Sequence, residues 1–314
     1  MTYTKLENNI VALDLEFLMH GLACCYIIEQ NGKYALVETG PANSSSVILD
    51  YFQQNKISLK EIEYVFITHV HLDHAGGAGI LMPLFPNAKL VVHPRGVRHM
   101  IDPSKLWNSA LAVYGDKKLR AEFGEMIAVQ KERIIEAEDE SIFYLDNRAL
   151  KVIHTRGHAK HHYCLWDEQS KGMFTGDSFG VSLPFFDTPK DSFITISASP
   201  VQFEPEEAHI SIDKIMSYNP KYAYLTHCGC VKNIPKLAQQ LHNHIDELVA
   251  LALRCAPYKE RICIIRDALI NRYLQEIRRL HCLLDRESIL NYLGTDIELN
   301  TQGLDCWLQQ QEKK

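Results

Sequence analysis

The chain reads as an α/β layer fold that presents a metal site at its strand ends. Three observations predict this. Short apolar strand segments fall into two sets, helical segments lie between and after them, and a dense histidine loop follows one strand directly. That loop is Thr68-His69-Val70-His71-Leu72-Asp73-His74-Ala75-Gly76-Gly77, and the strand before it is Tyr64-Val65-Phe66-Ile67.

The elements follow in order. Residues 22–29 and 34–38 predict a hairpin about Asn31-Gly32, a strong turn pair. Glu38-Thr39-Gly40-Pro41 ends it with a sharp turn, and residues 44–55 carry Val47, Ile48, Tyr51 and Phe52 at helical spacing. Residues 88–93 predict the strand after the histidine loop. Residues 96–138 then turn long, charged and helical, notably over 117–133, with Trp107, Tyr114 and Met126 at apolar positions. This reads as a helical insertion of about 96–140, serving as scaffold, lid or homodimer contact. Strand patterns resume at 141–144, 150–154, 163–166 and 172–175, with a helix over 208–217 and a strand over 222–225. From Pro235 the pattern is helical nearly to the end. The expected organisation is therefore a catalytic domain over 1–235 and a helical C-terminal region over 236–314.

Bulk properties narrow the function. At 46% hydrophobic and 23% charged residues, the 314-residue chain is ordinary for a globular enzyme with a substantial core. A net charge of −6 offers no footprint for nucleic acid or an anionic membrane, and no apolar run is long enough to span a bilayer. The polar start, Met1-Thr2-Tyr3-Thr4-Lys5-Leu6-Glu7, does not read as a secretory signal. Nine cysteines without a CxxC pair read as reduced thiols of a cytoplasmic protein.

Neutral imidazole and carboxylate are ligands for zinc, iron or manganese, so the loop can begin one metal site or two. Three partners sit just after apolar strands: His158 in Thr155-Arg156-Gly157-His158, Asp177 in Phe174-Thr175-Gly176-Asp177, and His227 after Tyr224-Leu225-Thr226. His69 and His71 are two apart on extended backbone and so point to one side.

These stretches, with Glu38-Thr39-Gly40 and His162, stand in an order that resembles the metallo-β-lactamase superfamily over about residues 20–230. The resemblance implies an αββα four-layer sandwich with the site at one edge between two mixed sheets. It implies that His69, His71 and His158 hold one divalent ion, that Asp73, His74 and His227 hold a second, and that Asp177 bridges them with a shared hydroxide. Zinc is the first expectation, with iron or manganese as alternatives. Asp73 touches both metal and solvent in this scheme and is the candidate for proton relay.

The chain departs from the family pattern at three places. Glu38 stands where Asp is usual and is expected to orient the loop. Arg156 stands where proline is usual and would either bind an anionic substrate group or be solvated. His161 stands where glycine is frequent; it is expected to be partly exposed, and His162 buried and structural. Phe179, Phe185 and Phe186, in the loop after Asp177, would border an apolar acyl or aryl group or else fill the core.

The reaction implied is hydrolysis of a small-molecule ester-like bond. Phe174 to Phe179 is similar to the glyoxalase II type of thioesterase, and Asp73 to Gly77 is shared with acyl-homoserine lactonases. His71 argues against the flavodiiron branch, which has Glu there. Other readings are a phosphodiesterase and an iron-binding oxygen or redox sensor with little hydrolytic turnover.

Overall fold

The computed structural model describes residues 1–188 and 192–313, which fall into two compact units. The first comprises Met1–His154, His161–Gly176 and Pro220–Lys232. The second comprises Thr155–Lys160, Asp177–Asn219 and the chain from Asn233 onward.

Two sheets build the first unit. Strands β1 (Tyr3–Lys5), β2 (Ile10–Asp14), β3 (Cys24–Gln30), β4 (Lys33–Val37), β5 (Ile62–Phe66), β6 (Lys89–Val92) and β7 (Ile134–Glu136) lie side by side in chain order. β1 to β4 pair antiparallel, with β3 and β4 joined by the tight Asn31-Gly32 turn, while β4 to β7 pair parallel. Parallel neighbours need crossovers, and helices supply them. α1 (Ser45–Gln54) joins β4 to β5, α2 (Leu72–Ala75) and α3 (Ala78–Leu81) join β5 to β6, and α4 (Pro94–Ile101), α5 (Ser104–Tyr114) and α6 (Asp116–Phe123) join β6 to β7.

The second sheet contains β8 (Ile142–Leu145), β9 (Arg148–His154), β10 (Tyr163–Asp167) and β11 (Gly172–Gly176). Two short strands of the second unit come next in the chain, β12 (Val181–Ser182) and β13 (Ile194–Thr195), and pair with each other. β14 (Tyr222–Leu225) then returns to run parallel to β11, and β15 (Gly229–Val231) closes the edge.

Alternate residues of both sheets make one shared core. Cys24, Tyr26 and Ile28 of β3 meet Leu150 and Val152 of β9 and Tyr163 and Leu165 of β10 in a single buried cluster. Arg148 is fully buried beside this core. It donates from Nε to Asp167, at 3.0 Å, and from Nη1 to the carbonyls of Asn8, at 2.8 Å, and Glu29, at 3.3 Å. One guanidinium thus joins the two sheets.

In the second unit, α7 (Pro205–Ser217), α8 (Ile234–Cys255), α9 (Arg261–Arg279) and α10 (Arg286–Gln311) pack on one another. Buried residues recur at helical spacing: Leu237, Leu241, Ile245 and Leu248 on α8, and Ile265, Leu269, Tyr273 and Ile277 on α9. Buried Asn300 on α10 accepts from the Ala198 amide at 2.6 Å and donates to the Tyr273 hydroxyl at 2.8 Å. Among the described residues no helix is long and apolar enough to cross a membrane.

The structure corrects three expectations about local structure. The helix expected over 117–133 ends at Phe123. Gly124, with φ +71°, breaks it, and the chain then runs to β7, which joins the first sheet. β1 and β2 add two strands ahead of the expected hairpin: β1 is wholly exposed, whereas β2 carries the apolar run Ile10-Val11-Ala12-Leu13. His161 is buried instead of partly exposed, with its ring 5.7 Å from that of His71.

Two measurements test the packing. Arg148→Ala should lower unfolding free energy by about 3–5 kcal/mol, because it strands the buried Asp167 carboxylate; chemical denaturation reads this directly. His244, buried on α8, is pushed down to about 3 by burial and then by the Arg272 charge, from an ordinary 6.5. The unfolded chain therefore binds a proton that the folded chain refuses between those values, so stability falls as pH drops below 6.5. At pH 5 the loss is about 2 kcal/mol. His244→Gln should flatten that slope, and an unchanged slope would assign the acid sensitivity elsewhere.

Candidate metal centre

The histidine loop is built by close approach. Thr39 donates to the His74 carbonyl from its amide at 2.8 Å and from its hydroxyl at 2.9 Å, and the Gly77 amide donates to the Gly40 carbonyl at 2.9 Å. Gly76 and Gly77 do not serve a tight turn, since neither has positive φ. A Cβ on Gly76 would come within 3.1 Å of the Ala42 nitrogen, and one on Gly77 within 2.9 Å of the Thr39 carbonyl. The glycines are there so that the strand end at Glu38 and the loop can touch.

Glu38 organises the site. Its carboxylate is fully buried, and its backbone lies in the left-handed region at φ +70°. It accepts from the Thr68 hydroxyl and, at 3.3 Å, from the Thr68 amide. It also accepts from His74 Nδ1 at 3.1 Å and from the Thr226 hydroxyl at 3.3 Å.

This network sets which nitrogen of each imidazole carries the proton. A neutral imidazole has one N–H. His74 uses Nδ1–H on Glu38, so Nε2 carries its lone pair and faces Asp73 Oδ2 at 3.6 Å. His227 donates from Nδ1 to the Leu22 carbonyl at 3.1 Å, and its Nε2 faces the same Asp73 oxygen at 3.3 Å. The Thr68 hydroxyl gives its proton to Glu38 and so receives His69 Nδ1–H at 3.1 Å. His69 Nε2 then turns to His71 Nδ1 at 2.8 Å.

Donor atoms of Asp73, His74 and His227 lie within 4.8 Å of one another, as do those of Glu38, His69 and His74. Basic nitrogens and a carboxylate turned on one another without protons between them require positive charge. The donor set of imidazole and carboxylate fits a divalent ion. Burial pushes the Asp73 carboxyl up, and positive charge at His74 and then at His227, where those rings take up protons in place of an ion, pulls it well below the usual range. Asp73 is thus an ionised carboxylate.

The second unit brings His158 and Asp177 together. His158 donates from Nδ1 to the Ser197 carbonyl at 3.0 Å and faces Asp177 Oδ2 from Nε2 at 3.5 Å. Both line a small pocket walled by Ile196, Phe203, Ile212, Leu241 and Ile245. Gly157, at φ +112°, lets the chain pass against α7, where a Cβ would lie 2.5 Å from Ala208 Cα. Arg156 pairs with Glu204 at 2.9 Å and Glu207 at 3.5 Å, so two carboxylates already offset its charge. Phe179 and Phe186 are fully buried, and the Phe185 ring stacks on Tyr292 at 4.3 Å between centroids. His162 is fully buried with its ring 4.9 Å from that of His69.

Sequence reasoning missed Thr68 and Thr226. The signal was present, because each directly precedes a candidate ligand, as Thr68-His69 and Thr226-His227, and both hydroxyls donate to Glu38.

The family model of the metallo-beta-lactamase superfamily matches residues 21–227. The chain belongs to the metallo-beta-lactamase superfamily. Its fold is the αββα sandwich of that family, with the C-terminal helices added. It is similar to the metallo-beta-lactamase fold-containing protein ST1585 of Sulfurisphaera tokodaii, at 26% identity over 73% of this chain and 79% of that one. The solved structure of ST1585 superposes with a TM-score of 0.65 at 21% identity, covering 95% of this chain and 98% of that one. An atrochrysone carboxyl ACP thioesterase of Pseudocercospora fijiensis is 24% identical over 78% of this chain and 63% of its own length. A hydroxyacylglutathione hydrolase of Francisella tularensis subsp. novicida is 24% identical over 52% and 55%. This chain thus spans little more than half of each of those last two relatives.

The role of Glu38 is open to measurement. Glu38→Ala should weaken metal affinity by about 10- to 100-fold, since it releases His74 and Thr68 together. Competition with a chelator reads the change, and Glu38→Gln, which keeps one acceptor oxygen, should recover part of it.

Proposed function

We propose that this protein is a hydrolase that uses two divalent metal ions to cleave a small-molecule ester-like bond: a thioester, lactone or ester. The observation that carries this reading is the convergence of His74 and His227 on one oxygen of Asp73, with the other nitrogen of each ring already committed. By motif order in the family, His69, His71 and His158 are assigned to one ion, Asp73, His74 and His227 to the other, and Asp177 to both. Zinc is the ion proposed first, ahead of iron or manganese.

When bound, such ions lower the pKa of a coordinated water toward about 7 and polarise the attacked oxygen. The chain's own residues do the rest. Nδ1 acceptors hold His69, His74, His158 and His227 in the metal-binding tautomer, so little reorganisation accompanies reaction. Asp73, ionised and with its side chain 24% exposed, can take a proton from the nucleophilic water at its carboxylate and pass it to the leaving group. The apolar walls beside His158 and Asp177 suit an acyl or aryl group. The two relatives named a thioesterase and a hydroxyacylglutathione hydrolase support carbonyl over phosphodiester chemistry. The acidic balance, −6, disfavours a polyanionic partner.

Metal-analysed protein assayed on thioesters, lactones, aryl esters and a phosphodiester tests this. Colourless zinc-loaded protein should turn over at least one carbonyl substrate and leave the phosphodiester nearly untouched. Asp177→Ala should cost about 100-fold or more in kcat and part of the bound metal. Iron-loaded protein with an oxygen-sensitive visible absorption and no turnover would replace the hydrolase by a sensor.

A further inference from the structure

A second histidine pair lies outside the motif residues. α7 and α8 pack side by side, and each carries a histidine with an aspartate four residues on: His209 and Asp213, His242 and Asp246. The pairs are crossed. His209 Nε2 lies 3.2 Å from Asp246 Oδ1, and His242 Nε2 lies 3.2 Å from Asp213 Oδ1. The two Nδ1 atoms face each other at 2.6 Å, with the ring planes 5° apart.

Each carboxylate draws the single N–H of a neutral imidazole to Nε2. Both Nδ1 atoms then direct lone pairs at each other, an arrangement that either a shared proton or a metal cation between them relieves. We propose that His209 and His242 bind a divalent transition-metal ion through their Nδ1 atoms, with Asp246 and Asp213 orienting the rings from behind. The two carboxylates supply the charge that such an ion neutralises. Tetrahedral zinc bound at about 2.0–2.1 Å sets two imidazole nitrogens roughly 3.3 Å apart. The rings therefore need only a small opening, and their side chains, 28% and 22% exposed, have room for it. Two protein ligands leave the remaining positions to water, so the ion is exchangeable.

The site has a structural consequence. Ala208 and Ile212 on α7, and Leu241 and Ile245 on α8, wall the pocket beside His158 and Asp177. The histidines and aspartates are their immediate chain neighbours, so an ion here clips together the two helices that form that wall.

Zinc counted by atomic emission after equilibrium dialysis of the full chain tests the proposal. The wild type should carry one more zinc per chain than His209→Gln or His242→Gln, with circular dichroism unchanged in both. Asp213→Asn and Asp246→Asn should keep that last equivalent but bind it about tenfold more weakly. In the wild type itself, the 13Cε1 resonances of two histidines should shift as the last equivalent is added. Equal zinc counts in wild type and variants, or no such shift, would show a pair that shares only a proton and would overturn the site.

Discussion

The buried carboxylate of Glu38 is the constraint on which the centre depends. An ionised carboxylate removed from water is costly unless its oxygens are satisfied. Glu38 meets this requirement by drawing donors from two segments far from it in the chain: the histidine loop, through the Thr68 amide and hydroxyl and His74 Nδ1, and the end of β14, through the Thr226 hydroxyl. Satisfying one charge therefore brings the end of β4, the histidine loop after β5 and the end of β14 to a common point. Those last two segments belong to different sheets, so the carboxylate also fastens the sandwich at its functional end.

From that point the proton positions follow in sequence. Each candidate ligand imidazole resolved above gives one N–H to a fixed acceptor: Glu38 for His74, the Leu22 carbonyl for His227, the Thr68 hydroxyl for His69 and the Ser197 carbonyl for His158. The opposite nitrogen is left basic and directed at a carboxylate or another imidazole. The same rule, with the nitrogens exchanged, operates between His209 and His242, where aspartates occupy Nε2. Histidine supplies metal chemistry when its second nitrogen is held, and this chain holds it repeatedly.

The two groups of candidate ligands have different surroundings. Ligand positions are tied to strand ends and backbone carbonyls, whereas the second unit surrounds His158 and Asp177 with aliphatic side chains from α7 and α8. The aromatic residues that follow Asp177 turn inward, and Arg156 is held by Glu204 and Glu207 at the start of α7. The pocket beside His158 and Asp177 is thus walled mainly by apolar side chains, and the Arg156 charge on its lining is paired.

Local signals in the chain were sufficient for the Asn31-Gly32 hairpin, α1 and the strand before the histidine loop, because each depends on neighbours a few residues away. The resemblance to a family added the expected grouping of distant candidate ligands. Contacts over long separations were decided only by the folded chain. Arg148 reads as an ordinary surface arginine until it is seen to reach Asn8 and Asp167 at once. Gly76 and Gly77 look like turn residues, yet they are required by a strand end that lies over thirty positions earlier. Phe179 and Phe186 could face a cleft or a core with equal plausibility, since apolar character predicts burial but not which side of the wall is buried. Composition and spacing thus marked the candidate ligands, while the direction of each side chain depended on which distant segments could satisfy a buried charge and fill a core.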